Sequence, residues 1–277
     1  MSFRIITDSA ADLPREIIQK YEVEIEPMQV FFGDEGYYDG VEISKDEFYK
    51  KLAHAKKLPT TTQINIDTFE KLFEKDERPV LGIFISSQLS GTGQSAKIAA
   101  DSFKNKEIFI IDSLNATMGM SVLVIKALMM REEGKSLKDT YETIQKLTEK
   151  VRLYAAVDSL KYLKAGGRLS GASAIIGTAL GIHPIMEVKD GKVSALGKER
   201  GLKKSHQAVV DFAKKCNIDY DMPIILGHSN DEEMLEAFKK VIGAQIDISK
   251  ANVCEIGVTV GTHAGPGCVG ISFVEKD

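Results

Sequence analysis

The chain has 277 residues, 43% of them hydrophobic and 27% charged, with a net charge of −4. That composition belongs to a globular protein with a sizeable core, and its slight acidity excludes the basic stripe that nucleic acid or an anionic membrane surface would require. Cys216, Cys254 and Cys268 are odd in number and far apart, which argues against a disulfide framework or a paired-thiol metal knuckle. There is no leader-like apolar segment at the start and no apolar run near the roughly 18 residues of a membrane span; a soluble, cytoplasmic protein without a nucleic-acid partner is expected.

In chain order, Phe3 to Thr7 is predicted as a strand ending at Asp8 and Ser9, and Asp12-Leu13-Pro14-Arg15-Glu16 opens a helix with proline near its first turn. Val23 to Gly40 fits a further strand and a turn, and Ser44 with Glu47 makes a capping box for the next helix. PTTTQIN, residues 59–65, places three threonines ahead of a helix starting near Ile66, where hydroxyls usually cap or turn. Val80 to Ile85 is a second buried strand, followed by a hydroxyl-rich loop and a helix from about Gln94 to Phe103. Glu107 to Ile111 is a third, ending at Asp112-Ser113 before a long apolar helix around Met118 to Arg131. Strands that end in small polar residues and feed helices describe a parallel α/β sheet, whose ligand crevice lies beyond the strands' carboxyl ends.

After a charged amphipathic helix, Ser136 to Lys150, the pattern changes. Lys189-Asp190-Gly191-Lys192 is a strong hairpin signal. Pro223 to Leu226, Val253 to Val260 and Val269 to Val274 read as strands, with helices at about Lys203 to Lys215 and Asp231 to Val241. The expected organisation is an α/β N-terminal domain, residues 1–152, and a mixed α+β C-terminal domain, residues 153–277, packed closely with a cleft between them.

The loop FISSQLSGTGQSA, residues 84–96, joins a strand to a helix, so its amides and the helix N-terminus suit an anion. It matches neither the Walker loop nor the dinucleotide fingerprint. Gln88 replaces the first glycine of a hydrolase elbow around Ser90, although His263 and Asp112 could complete a triad on paper. His263 falls in a predicted glycine-rich bend between two strands, where Gly261, Gly265 and Gly267 leave room for a ligand to approach the backbone. The other histidines lack metal-ligand spacing, so no metal is expected. Small residues from Gly171 to Ala179 predict a closely packed helix, either core or the wall of an apolar pocket.

Six motifs in order, IITDSAADLP, PTTTQIN, FISSQLSGTGQSA, IDSLNATMGMS, LKYLKAGGRLSG and EIGVTVGTHAGPGCVGISF, together resemble the DegV family of bacterial fatty-acid-binding proteins across essentially the whole chain. The resemblance implies a two-domain DegV-like fold holding one long-chain fatty acid in a tunnel between the domains. It also implies a binding subunit without an ATP site or cofactor of its own. Such a subunit presents the carboxylate to a separate fatty acid kinase subunit, which makes an acyl phosphate for phospholipid synthesis, with transient membrane contact. Carried over by motif, the carboxylate would meet Thr61, Thr62, Ser90 and His263, and Arg168 would stand near the mouth where the kinase subunit docks. The alternative is a serine-dependent lipid hydrolase or acyltransferase using Ser90 and His263.

Overall fold

The structure is a computed structural model that describes residues 3–170 and 181–276; the predicted small-residue helix from Gly171 to Ala179 lies outside the described residues. In chain order the strands are β1 (Arg4–Asp8), β2 (Glu24–Glu26), β3 (Gln29–Phe32), β4 (Glu35–Tyr38), β5 (Thr60–Thr62), β6 (Val80–Phe84), β7 (Ile108–Asp112), β8 (Val151–Ala156), β9 (Ile182–Lys189), β10 (Lys192–Arg200), β11 (Ile225–His228), β12 (Asn252–Glu255) and β13 (Val269–Val274). They form three sheets. The first is parallel, in the order β2-β1-β6-β7. Its central strands β1 and β6 are buried at every residue, as a parallel sheet covered on both faces requires. The second is mixed, in the order β10-β9-β8-β13-β11-β12, with only β11 and β12 parallel. A small antiparallel sheet, β4-β3-β5, stands beside them.

The helix Thr117–Glu132 joins the two large sheets. It is apolar on nearly all sides, and a helix of that kind is stable only when surrounded. It packs against β1 and β6 on one side and against β8, β11 and β13 on the other. Through it, Ile5 and Leu81 of the first sheet share one continuous core with Leu153, Met186 and Ile225 of the second. A separate core lies on the second sheet's other face, beneath the helices Leu202–Ala213 and Glu232–Gly243.

The capping box at Ser44 and Glu47 forms as expected, and the Asp190-Gly191 turn takes positive φ at both positions, 50° and 78°, the geometry of a type I′ hairpin. Three expectations need correction. Val23 to Gly40 holds not one strand but β2, β3 and β4. The three threonines of PTTTQIN form β5, while the next helix, Ile66–Glu74, is capped instead by Asn65, whose side chain accepts from the Thr68 N–H. Finally, Val253 to Val260 is not one strand: β12 stops at Glu255 and Val258–Ala264 is a helix.

The cause of that last turn of helix lies far away in sequence. Asp12 accepts from the Gly257 N–H at 2.7 Å, and Asp39 accepts from both the N–H and the hydroxyl of Thr259, at 3.0 and 2.7 Å. These carboxylates satisfy amides that open the helix and favour its positive end. Tyr49 donates to the Ile256 carbonyl at 3.0 Å and the Lys45 ammonium donates to that of Glu255, which fixes the approach to the helix.

Burial pushes the Asp12 carboxyl up to about 7 against the pull of Lys45. A carboxyl raised in the fold stabilises it at low pH and loses that contribution as pH climbs through about 7. Asp12→Asn keeps an acceptor for Gly257 without the charge. Between pH 5 and 8 the variant should therefore gain on the parent chain by on the order of 2 kcal/mol in denaturant unfolding; a gap independent of pH would contradict the shift.

Candidate functional site

A cavity of about 260 Å³ lies between the two large sheets. Much of its wall is apolar, from Leu153 and Ala155 on β8, Met186 and Val188 on β9, and Met118 from the joining helix. Its polar lining includes Thr61, Thr62, Ser90, Arg168 and His263, together with Gln63, Thr117, Glu187 and Thr259. The residues singled out by motif, contributed by four separate segments, are thus brought together around one space.

Each is held by its own local structure. β5 runs antiparallel to β3, with Thr61 opposite Val30, and β-branched threonines suit such a strand. Alternation turns Thr61 inward and leaves Thr62 exposed at the rim. His263 occupies the last turn of Val258–Ala264, not a bend between strands, and its Nε2 lies 2.9 Å from the Thr61 hydroxyl. The expected role of the neighbouring glycines is also different: side chains added at Gly261, Gly265 and Gly267 would strike Tyr49, Tyr162 and Asp158. They allow close packing of the protein on itself.

Ser90 precedes the helix Thr92–Ala100, whose N-cap is Gly91 and has no side chain to offer. Ser90 shares a hydrogen bond with the Thr92 hydroxyl at 3.0 Å and accepts from the Thr92 N–H at 3.3 Å. The Thr92 hydroxyl accepts in turn from the Ile64 N–H, and Gln63 donates to Ser95 at 3.0 Å. These bonds fasten the threonine segment to the hydroxyl loop. The strand ends below are tied by carboxylates: Asp8 accepts from the Ile85 N–H at 2.9 Å, and Asp112 from the N–H groups of Ser87 and Leu114.

Arg168 donates through Nε to the Leu89 carbonyl at 3.2 Å and through Nη1 to that of Gly166 at 2.5 Å. It therefore bridges the hydroxyl loop and the Gly166-Gly167 turn while facing the cavity. Burial lowers the His263 imidazole to about 4, and the positive charge of Arg168 pushes in the same direction. At neutral pH the ring is uncharged. Its tautomer protonated at Nε2 offers one N–H to Thr61 or to an anion beside it; Nδ1 is buried without a partner.

A catalytic triad is not assembled. Ser90 bonds to Thr92 rather than to His263, no carboxylate among the described residues receives Nδ1, and Asp112 is occupied by backbone amides. What the arrangement can do is replace the water around a carboxylate with hydroxyls, an imidazole and helix-terminal amides.

Sequence reasoning missed Gly166, Gly91 and Gln63. A Cβ at Gly166 would come within 2.1 Å of His263 Nδ1, and one at Gly91 within 2.1 Å of Gln63 Oε1. Neither glycine has a positive φ; both are required by the side chain lying over them, which leaves no local signal in the sequence.

The family described as "Uncharacterised protein, DegV family" matches residues 2–276. A DegV domain-containing protein of Caldanaerobacter subterraneus subsp. tengcongensis is 37% identical over 276 residues, covering 98% of each chain. Among solved structures, a fatty acid binding DegV family protein from Streptococcus agalactiae matches with a TM-score of 0.89 at 29% identity, over 100% of both chains. A stearic acid-binding protein from Eubacterium ventriosum matches with a TM-score of 0.85 at 27% identity, over 99% of this chain and 98% of its own. The expected fold, a parallel sheet followed by a mixed one, is the fold of these proteins.

The His263 ring should remain neutral well below pH 6, with its NMR titration midpoint near 4 in the ligand-free protein. Because a depressed histidine contributes stability above its ordinary value and loses it as pH falls, the fold should weaken between about pH 6.5 and 4 through this group. A midpoint near 6.5 would mean that the ring is solvated.

Proposed function

This chain belongs to the DegV family, and on that premise we propose that it binds one long-chain fatty acid in the cavity between its sheets. Residues 1–152 and 153–277 serve as the two lobes around the ligand. The carboxylate rests against Thr61, Ser90 and His263, with Thr62 at the rim, and the hydrocarbon lies against Leu153, Ala155, Met186 and Val188. The observation that carries this reading is the Thr61–His263 pair, a half-buried neutral donor set on the wall of a largely apolar cavity.

The energetics suit such a ligand. Burying about fourteen methylenes at about 0.8 kcal/mol each contributes on the order of 11 kcal/mol gross, enough to draw a fatty acid from water and to offset what its chain gives up on leaving a bilayer during transient membrane contact. The carboxylate loses its hydration on entry, at a cost of several kcal/mol unless donors replace the water.

The protein then acts as a carrier subunit. A separate ATP-dependent kinase subunit docks near Arg168, and a carboxylate oxygen attacks the γ-phosphorus of ATP. The new O–P bond forms as the bond to the β-phosphate oxygen breaks, giving an acyl phosphate and ADP; the acyl phosphate feeds phospholipid synthesis in the cytoplasm. A carboxylate already ionised needs no base. Neutral donors also leave its oxygen more nucleophilic than a bidentate guanidinium clamp would, and the Nε and Nη1 groups of Arg168 are committed to backbone carbonyls.

Native mass spectrometry of the purified protein, before and after denaturing extraction, tests the binding directly. One non-covalent fatty acid per chain is expected; a chain that stays empty after incubation with fatty acids would refute it. Thr61→Val should weaken binding about tenfold to a hundredfold, the worth of one hydrogen bond to a charged group. Arg168→Ala should keep fatty-acid affinity within a few-fold while slowing acyl-phosphate formation with the kinase subunit at least about tenfold; an unchanged rate would remove Arg168 from the docking surface.

A further inference from the structure

Met118 stands in the first turn of the joining helix, 1% exposed, and its side chain forms part of the cavity wall. Behind it the second sheet presents two glycines. A Cβ on Gly227 of β11 would fall 2.5 Å from the Met118 sulfur and 2.7 Å from its Cγ, and one on Gly270 of β13 would fall 2.9 Å from its Cε. Gly227 and Gly270 face each other across the β11–β13 pair. Gly270 is paired on its other side with Ala155, which lines the cavity. Neither glycine has a positive φ, so the backbone does not require them. They are a slot two strands wide, and the thioether of Met118 fills it.

We infer that Met118, seated in the Gly227–Gly270 slot, sets the length of acyl chain the cavity accepts. This rests on the fatty-acid reading above and adds to it a residue that selects the ligand. Methionine is unbranched and adaptable. Beyond Cβ it has three heavy atoms, so trimming it to alanine opens the slot to the cavity and frees room for about two to three methylenes.

The reverse change can be made without touching the cavity. At Gly227 the three nearest atoms to an added Cβ all belong to the Met118 side chain. A methyl group there lifts the thioether out of its slot and into the ligand space. Gly270 does not offer the same experiment, because an added Cβ would lie 2.6 Å from the Tyr154 carbonyl oxygen and the sheet itself would have to move. Gly227→Ala and Met118→Ala therefore act on the same side chain from opposite sides. A gauge responds to them in opposite directions, whereas general loosening of the core moves both the same way.

The test presents delipidated protein with an equimolar mixture of saturated fatty acids from about twelve to about twenty-two carbons, spanning the per-methylene selectivity expected of such a cavity. The acids retained are then read by native mass spectrometry and extraction. Met118→Ala should shift the preferred length up by about two carbons and Gly227→Ala should shift it down by about two, with Met118→Leu, similar in volume, close to the parent. Unshifted preferences, or shifts in the same direction, overturn the inference while leaving fatty-acid binding in place. A parent chain that retains no fatty acid overturns the binding reading and the inference with it. If Met118→Ala does not fold, the direction of the Gly227→Ala shift decides.

Discussion

The site depends on a short helix held by hydrogen bonds to two carboxyl groups from the other end of the chain. Seven residues, Val258–Ala264, are too few to remain helical by their own hydrogen bonds. The N–H groups at their start are taken up by Asp12 and Asp39, 245 and 220 residues away. Those carboxylates stand just after β1 and β4, so the helix takes its support from the first sheet and the small sheet. Once formed, the helix carries His263 to Thr61 on β5, itself anchored to β3. The polar part of the cavity is thus a product of long-range contacts, and losing either carboxylate would be felt at the imidazole.

The same burial governs the electrostatics. Desolvation keeps His263 neutral, and Arg168, whose charge reinforces that effect, is tied to the carbonyls of Leu89 and Gly166. A fixed positive charge near uncharged donors attracts an anion without forming a close ion pair with it. The Ser90–Thr92 and Gln63–Ser95 contacts hold these groups in place beforehand, so under the proposed reading less ordering remains to be done when a carboxylate binds.

The parallel sheet was legible because apolar runs such as Val80–Ile85 and Glu107–Ile111 end abruptly in small polar residues, a pattern set by the buried strands themselves. The hairpin at Asp190-Gly191 was legible for an equally local reason, the positive φ its turn requires. Val253–Val260 misled because Ile256, Val258 and Val260 alternate as a strand would, while the groups that turn its second part into helix are Asp12 and Asp39. The threonines misled in the other direction: their hydroxyls suggest caps, but pairing with β3 makes them a strand. Motif resemblance grouped Thr61, Thr62, Ser90, Arg168 and His263, which the fold places around one cavity; periodicity could not have joined them, since they sit on different segments. Gly166 and Gly91 remained hidden because the reason for each is a side chain placed over it only in the folded chain.

The cavity divides its two tasks between different kinds of structure. On the proposed reading, recognition of a carboxylate needs directional donors, and these come from a short strand, a loop and the last turn of a helix. Recognition of a hydrocarbon needs only volume, since burial is non-directional and nearly proportional to area. That part of the wall is made from sheet faces and deformable methionines, Met118 and Met186 among them. Small changes in side-chain volume there can alter which chain fits without disturbing the donors, because Met118 is backed by the second sheet while the donors hang from the loops and the small sheet. A fold built in this way can keep one headgroup chemistry while its members diverge in the acyl chain they hold.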